Sequence, residues 1–155
     1  MFGSTLAAGA LAGFLATGPM TLAMEVMHRF LPWRERYPLP PSQITANLTA
    51  KIGVRDQMDR GQHVALTLLN HFAYGAGVGA LYAPMANKVP MPPAVKGIGY
   101  GLLVWLVSYL GLLPAVGLLR PATQQPEGRN VLMIAAHVVW GAVAGILTER
   151  FQGRR

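Results

Sequence analysis

Apolar residues run along this chain in four long blocks separated by short polar stretches: about Leu6 to Met27, His63 to Met85, Ile98 to Leu119 and Val131 to Leu147. A helix needs roughly 20 mostly apolar residues to cross about 30 Å of hydrocarbon. Three blocks reach that length and the fourth approaches it, so the pattern predicts an all-α, four-helix transmembrane bundle. The connecting stretches are too short and too rich in proline to form a second domain, and residues 1–155 read as one integral membrane domain. An even number of spans puts both termini on one side of the membrane.

The first connecting stretch carries a pattern of its own. Pro38, Pro40 and Pro41 refuse a helix and extend the chain. Ser42 then stands where a cap is wanted, Ile44, Leu48 and Ile52 recur every four residues, and Gly53 supplies a stop. This predicts a short interfacial amphipathic helix over about 42–53, lying on the headgroups or covering the mouth of the bundle. A partner-docking surface is the alternative.

Within the blocks, small residues pair at a spacing of four: Gly9 and Gly13, Gly75 and Gly79, Gly97 and Gly101, Gly141 and Gly145. In lipid no hydrophobic effect drives helices together, so such pairs matter because they let backbones approach closely. A second regularity joins blocks two and four. His71-Phe-Ala-Tyr74-Gly75-Ala76 through Leu81 and His137-Val-Val-Trp140-Gly141-Ala142 through Leu147 both read His-x-x-aromatic-Gly-Ala-x-x-Gly-x-Leu. We read this as a duplicated helical hairpin, its halves related by a pseudo-two-fold axis along the membrane normal, with His71 and His137 at equivalent depths.

Composition narrows the classes. Of 155 residues, 52% are hydrophobic and only 12% charged, against about 25% charged in a soluble domain. The absence of Cys excludes a disulfide framework, a thiolate metal site and a thiol nucleophile. The net charge of +7 raises the question of nucleic acid, but the basic residues sit at block ends and in loops without the stripe of a nucleic-acid reader, so anionic lipid headgroups are the expected counter-charge. Arg29, Arg34, Arg36, Lys51, Arg55, Arg60, Arg120 and Arg129 flank the first and third connections. Lys88, Lys96, Arg150, Arg154 and Arg155 flank the second and the tail. This bias tilts toward a cytoplasmic first connection without deciding the orientation. The first block has no basic residue before it and reads as a retained span rather than a cleaved signal.

Ionisable residues inside a membrane are functional-site hypotheses by default. Glu25, His71 and His137 are the candidates, with His28 one turn from Glu25 on the same helix face. The single Glu25-x-x-His28 lacks the second copy that a dinuclear site requires. Paired imidazoles at matching depth suit haem b. Imidazoles with the thioethers of Met20, Met24, Met27 and Met133 suit copper, and Glu25, His28 and Met24 form a candidate metal set. A proton-handling or transport role for Glu25 and His28 is a further possibility. Against these stands a plain structural reading, with methionines filling the core and the histidines bonded to neighbours such as Asn70, Ser108, Tyr109 or Glu25.

No Gly-x-Ser-x-Gly, phosphate-cradling loop or His-Glu-x-x-His occurs, so hydrolytic or transfer chemistry finds no foothold, and the spans are too apolar to line a water path. Several short pieces resemble the YagU-like bacterial inner-membrane proteins, a family of unknown function. They are Pro38-Leu39-Pro40-Pro41, the Gly- and aromatic-rich second block with its His, Leu112-Leu113-Pro114 with Pro121 following, and His137-Val138-Val139-Trp140. That resemblance implies a small multi-pass protein of a bacterial inner membrane and carries no catalytic residues. The reading is therefore a non-catalytic accessory or stress-related membrane component, no cofactor required, assembling with itself or a larger complex through its glycine faces. A haem- or metal-binding protein built on His71 and His137 is the runner-up.

Overall fold

A computed structural model describes residues 2–153, so two of the tail charges, Arg154 and Arg155, lie outside the described residues. The chain forms α1 (Phe2–His28), α2 (Pro40–Lys51), α3 (Arg60–Ala86), α4 (Pro93–Ala115) and α5 (Glu127–Phe151), with no strand among the described residues. All but α2 are long and apolar enough to cross a membrane. Most of the long helices outrun their apolar blocks because local signals extend them. Asp59 closes a capping box with Gln62 that starts α3 early, and Pro93 sits in the first turn of α4, where its missing N–H costs nothing.

Helix α4 ends sooner than its apolar block, and it is not regular. A π segment over Val107–Leu112 interrupts it, with the Leu113 N–H reaching the Ser108 carbonyl. Pro114 is the cause we assign, since an α register would press its ring against the carbonyl four residues back and the wider turn relieves that clash. Gly117, at φ +64°, then turns the chain away in the left-handed region.

The glycines decide which helices touch. A Cβ on Gly9 would strike the Gly79 carbonyl and one on Gly13 the Gly75 carbonyl, which locks α1 to α3. Gly97 meets Gly141, and Gly101 meets the His137 carbonyl, which locks α4 to α5 in the same manner. These faces are spent inside the chain, so they are not available for the assembly expected of them. The contacts between the hairpins do not repeat. Ala8, Ala12 and Ala16 of α1 are buried and α1 packs closely with α5, whereas the backbones of α3 and α4 stand apart and meet through side chains.

Each end of the bundle has its own fastening. At one end Arg129, 2% exposed, reaches from the first turn of α5 into the first connection. It donates to the carbonyls of Glu35 (3.0 Å), Tyr37 (2.9 Å) and Pro38 (2.8 Å). At the other end Lys96 of α4 pairs with Glu149 of α5 and also donates to the Ala86 carbonyl.

Helix α2 corrects the sequence reading in two respects. Ser42 does not cap it: the helix begins at Pro40 behind Leu39, because prolines in the first turn leave no donors to cap there, and the Ser42 hydroxyl bonds the His63 ring instead. Its buried side is Pro40, Thr45 and Thr49, while Ile52 of the expected apolar stripe is exposed. Lys51 and Asn47 donate to the carbonyls of Val116 and Leu118, tying α2 to the chain just beyond α4.

Candidate functional site

Where α3 and α4 stand apart, a cavity of about 340 Å³ remains among α1, α3, α4 and α5, with Pro41, Ile44, Thr45 and Leu48 of α2 against it. Its wall is almost wholly apolar. His71 from α3 and His137 from α5 both line it, so the two candidate histidines of the matched segments face one space. Gly75, one turn beyond His71, is held without a side chain by Thr17 of α1, and Trp140, nearly fully buried, closes the side toward α5.

Hydrogen bonds fix how the imidazoles present themselves. His137 Nδ1 lies 2.7 Å from the Met133 carbonyl oxygen, which can only accept, so Nδ1 carries the proton and in the neutral ring Nε2 keeps its lone pair. His71 Nδ1 lies 3.4 Å from Thr21 Oγ1. That hydroxyl already donates its proton to the Thr17 carbonyl, so it accepts from His71 and leaves that Nε2 as an acceptor too. Neither partner is among those the sequence suggested. Met133 serves because a side chain four residues along a helix can reach a carbonyl of its own helix, whereas Thr21 of α1 meets His71 of α3 across the helix pair.

The other polar groups around the cavity are largely occupied. Tyr74 and Ser108 bridge α3 to α4 at 2.7 Å, and Asn70 reaches Thr45 of α2. Tyr109, itself on the wall, packs edge-on against His137 with ring centroids 5.9 Å apart. The lining holds no Lys, Arg, Asp or Glu. It does hold the thioethers of Met20 and Met133. This arrangement can bind by shape, by acceptor nitrogens and by soft sulfur, and offers no charge for ionic recognition.

The rest of the candidate metal set is scattered. Met24 is buried in the core while Glu25 points to the exposed side of α1, and His28 meets the Tyr37 carbonyl at 3.1 Å. None of the three lines the cavity. Among the described residues no three His, Asp or Glu side chains gather as a metal-holding group. Two important residues escaped the sequence reading. Arg129 was counted only as a flanking charge, although a guanidinium in the first turn of an apolar helix, facing a connection with Trp33 and Tyr37, is a signal for a buried clamp. Trp140 read only as part of the repeat; its indole joins α5 to α1 by donating to the Gly13 carbonyl.

A family model described as "Protein of unknown function (DUF1440)" matches residues 21–146, which takes in the C-terminal end of α1, all of α2 to α4 and most of α5. No curated protein matches the chain, and no solved structure does.

Proposed function

The chain belongs to the DUF1440 family, whose function is unknown, and from that premise we propose that it is a non-catalytic membrane protein that holds a small ligand in the cavity between its two hairpins. The observation that carries this reading is the convergence of His71 and His137, on helices 66 residues apart in sequence, on one apolar space with both Nε2 atoms uncommitted. Small-molecule sites are of this kind: concave, mainly apolar, with a few placed polar groups. Binding without conversion fits the lining, which supplies no carboxylate, activated hydroxyl or paired nucleophile and base. The resemblance to YagU-like proteins supports a bacterial inner membrane as the location, and the basic residues flanking the helices suit anionic headgroups there. An accessory role beside other membrane proteins belongs to the same proposal, through surfaces other than the glycine faces.

A second reading is favoured by one specific feature. Met20 and Met133 line the cavity together with both histidines, and two thioethers with two imidazoles are suitable ligands for Cu(I); the paired imidazoles alone suit haem b. Native mass spectrometry, absorption spectroscopy and metal analysis on protein extracted in mild detergent test both readings. A retained organic adduct with a featureless spectrum, lost in the His71→Ala/His137→Ala variant, is the outcome expected. A Soret band or near-stoichiometric copper replaces it with the second reading, and a bare chain under all three methods overturns both.

A further inference from the structure

We propose that the cavity accepts a neutral, membrane-partitioning molecule bearing a hydroxyl group, such as a phenol or a long-chain alcohol, drawn from the hydrocarbon of the bilayer. The inference rests on the reading of the cavity as a binding site and specifies its ligand.

Three observations define the class. The first is the mouth. The lining residues that remain exposed are Leu48, Tyr74 (43%), Leu112 (49%) and Val116, so the rim lies where α3 and the end of α4 part company and is apolar except for one phenol. Tyr74 and Leu112 stand on spanning helices, with Leu48 on α2 and Val116 just beyond α4, so this rim borders lipid at one end of the bundle and what reaches it must dissolve in lipid. The second is the charge. With no Lys, Arg, Asp or Glu on the wall, a carboxylate, phosphate or ammonium would lose its water without gaining a partner, which is a prohibitive cost in an apolar site. The third is the polarity of the open valences. Nε2 of His71 and of His137 are acceptors, His137 being 6% exposed. The complement of these acceptors is a donor, and a hydroxyl is a small neutral group that supplies one. An alkane would leave the imidazole nitrogens unpaired, and an ether or ketone would set acceptor against acceptor.

Trp140 lines the cavity, so its fluorescence reports what enters. In a Trp33→Phe/Trp105→Phe background Trp140 is the sole indole, and bromine quenches an adjacent indole by the heavy-atom effect. Three probes of similar size separate the alternatives in lipid nanodiscs at neutral pH: 4-bromophenol, 4-bromoanisole and 4-bromobenzoate. The expected result is saturable quenching by the phenol, about tenfold weaker binding of the anisole, as one lost hydrogen bond in an apolar site implies, and no saturable quenching by the benzoate. Replacing both histidines, His71→Phe/His137→Phe, should bring phenol and anisole to equal affinity, and the comparison within the unsubstituted pair of histidines stands even if that variant fails to fold. Equal affinity of phenol and anisole in the parent, or tighter binding of the benzoate, overturns the hydroxyl class while leaving a binding cavity in place. Absence of saturable quenching by any probe overturns the cavity as a site for such ligands and, with a bare chain in the mass spectrum, the functional reading beneath it.

Discussion

The indole Nε1 of Trp140 donates to the carbonyl oxygen of Gly13 over 3.1 Å, and the same carbonyl also receives the hydroxyl of Thr17 at 2.9 Å. A helical carbonyl thus serves two donors beyond its backbone, one from its own helix and one from α5. The contact holds the two hairpins together on the side where they touch, opposite the gap between α3 and α4.

Trp140→Phe removes the cross-helix donor and part of a buried ring while leaving Thr17 to satisfy the carbonyl. We expect a loss of about 1–3 kcal/mol in bundle stability, combining one hydrogen bond and a partly filled void. Unfolding in mixed micelles with increasing sodium dodecyl sulfate measures it. An unchanged transition would mean the indole bond contributes nothing to docking the hairpins.

Glycine substitutions should divide sharply by position. Gly97→Ala places a methyl group against the Gly141 carbonyl, and Gly9→Ala against that of Gly79. Each should cost about 1–3 kcal/mol as the helices are forced apart. Gly77→Ala and Gly99→Ala, one turn-face away, meet open space and should leave stability equal or raise it slightly through helix propensity. The same denaturation assay ranks the four variants, and a uniform response across them would remove the close-approach account.

Arg129 lies 3.7 Å above the ring of Tyr37 while its two terminal nitrogens hold three carbonyls of the first connection. Arg129→Lys keeps the charge but offers no planar fork to span those acceptors or stack on the ring, so it should fail nearly as badly as Arg129→Met. Loss of about 2–4 kcal/mol is expected in either, the order for removing one partner of a buried charged cluster. Limited proteolysis between Trp33 and Pro38 should rise in parallel. Full protection in Arg129→Lys would show that the charge alone suffices.

Lys96 and Glu149 fasten the opposite end and are both largely buried, at 8% and 18% side-chain exposure. Single replacements Lys96→Met and Glu149→Gln should each destabilise the bundle, and the double variant should recover part of the combined loss, because a lone buried charge costs more than an absent pair. A double-mutant cycle with a coupling energy near zero would make the pair incidental.

What could be read along the chain was whatever depends on one helix at a time. Hydrophobic length alone settles that α1, α3, α4 and α5 are of membrane-crossing length, since the cost of burying unpaired backbone in hydrocarbon leaves helices as the available form for such blocks. The spacing of Gly9 with Gly13 and of Gly97 with Gly101 marked the faces that can approach closely. The histidine pair stood out because two imidazoles in apolar surroundings are rare enough to notice singly. Helix α2 was legible as a helix, but its start and its buried side were not. Thr45 and Thr49 bury themselves there by bonding within and between helices, which no hydropathy pattern registers.

Only the tertiary structure decided which glycine face meets which, that α1 and α5 pack while α3 and α4 part, and hence that a cavity exists between His71 and His137. The physical reason is that packing depends on pairs of surfaces. The Gly13 carbonyl of α1 accepts the indole N–H of Trp140 on α5, and nothing local to either helix states that the two will meet. The same holds for Arg129, whose acceptors are carbonyls 91 to 94 residues away: any residue supplies a carbonyl, so the sequence carries no mark of them until the fold brings them to one guanidinium.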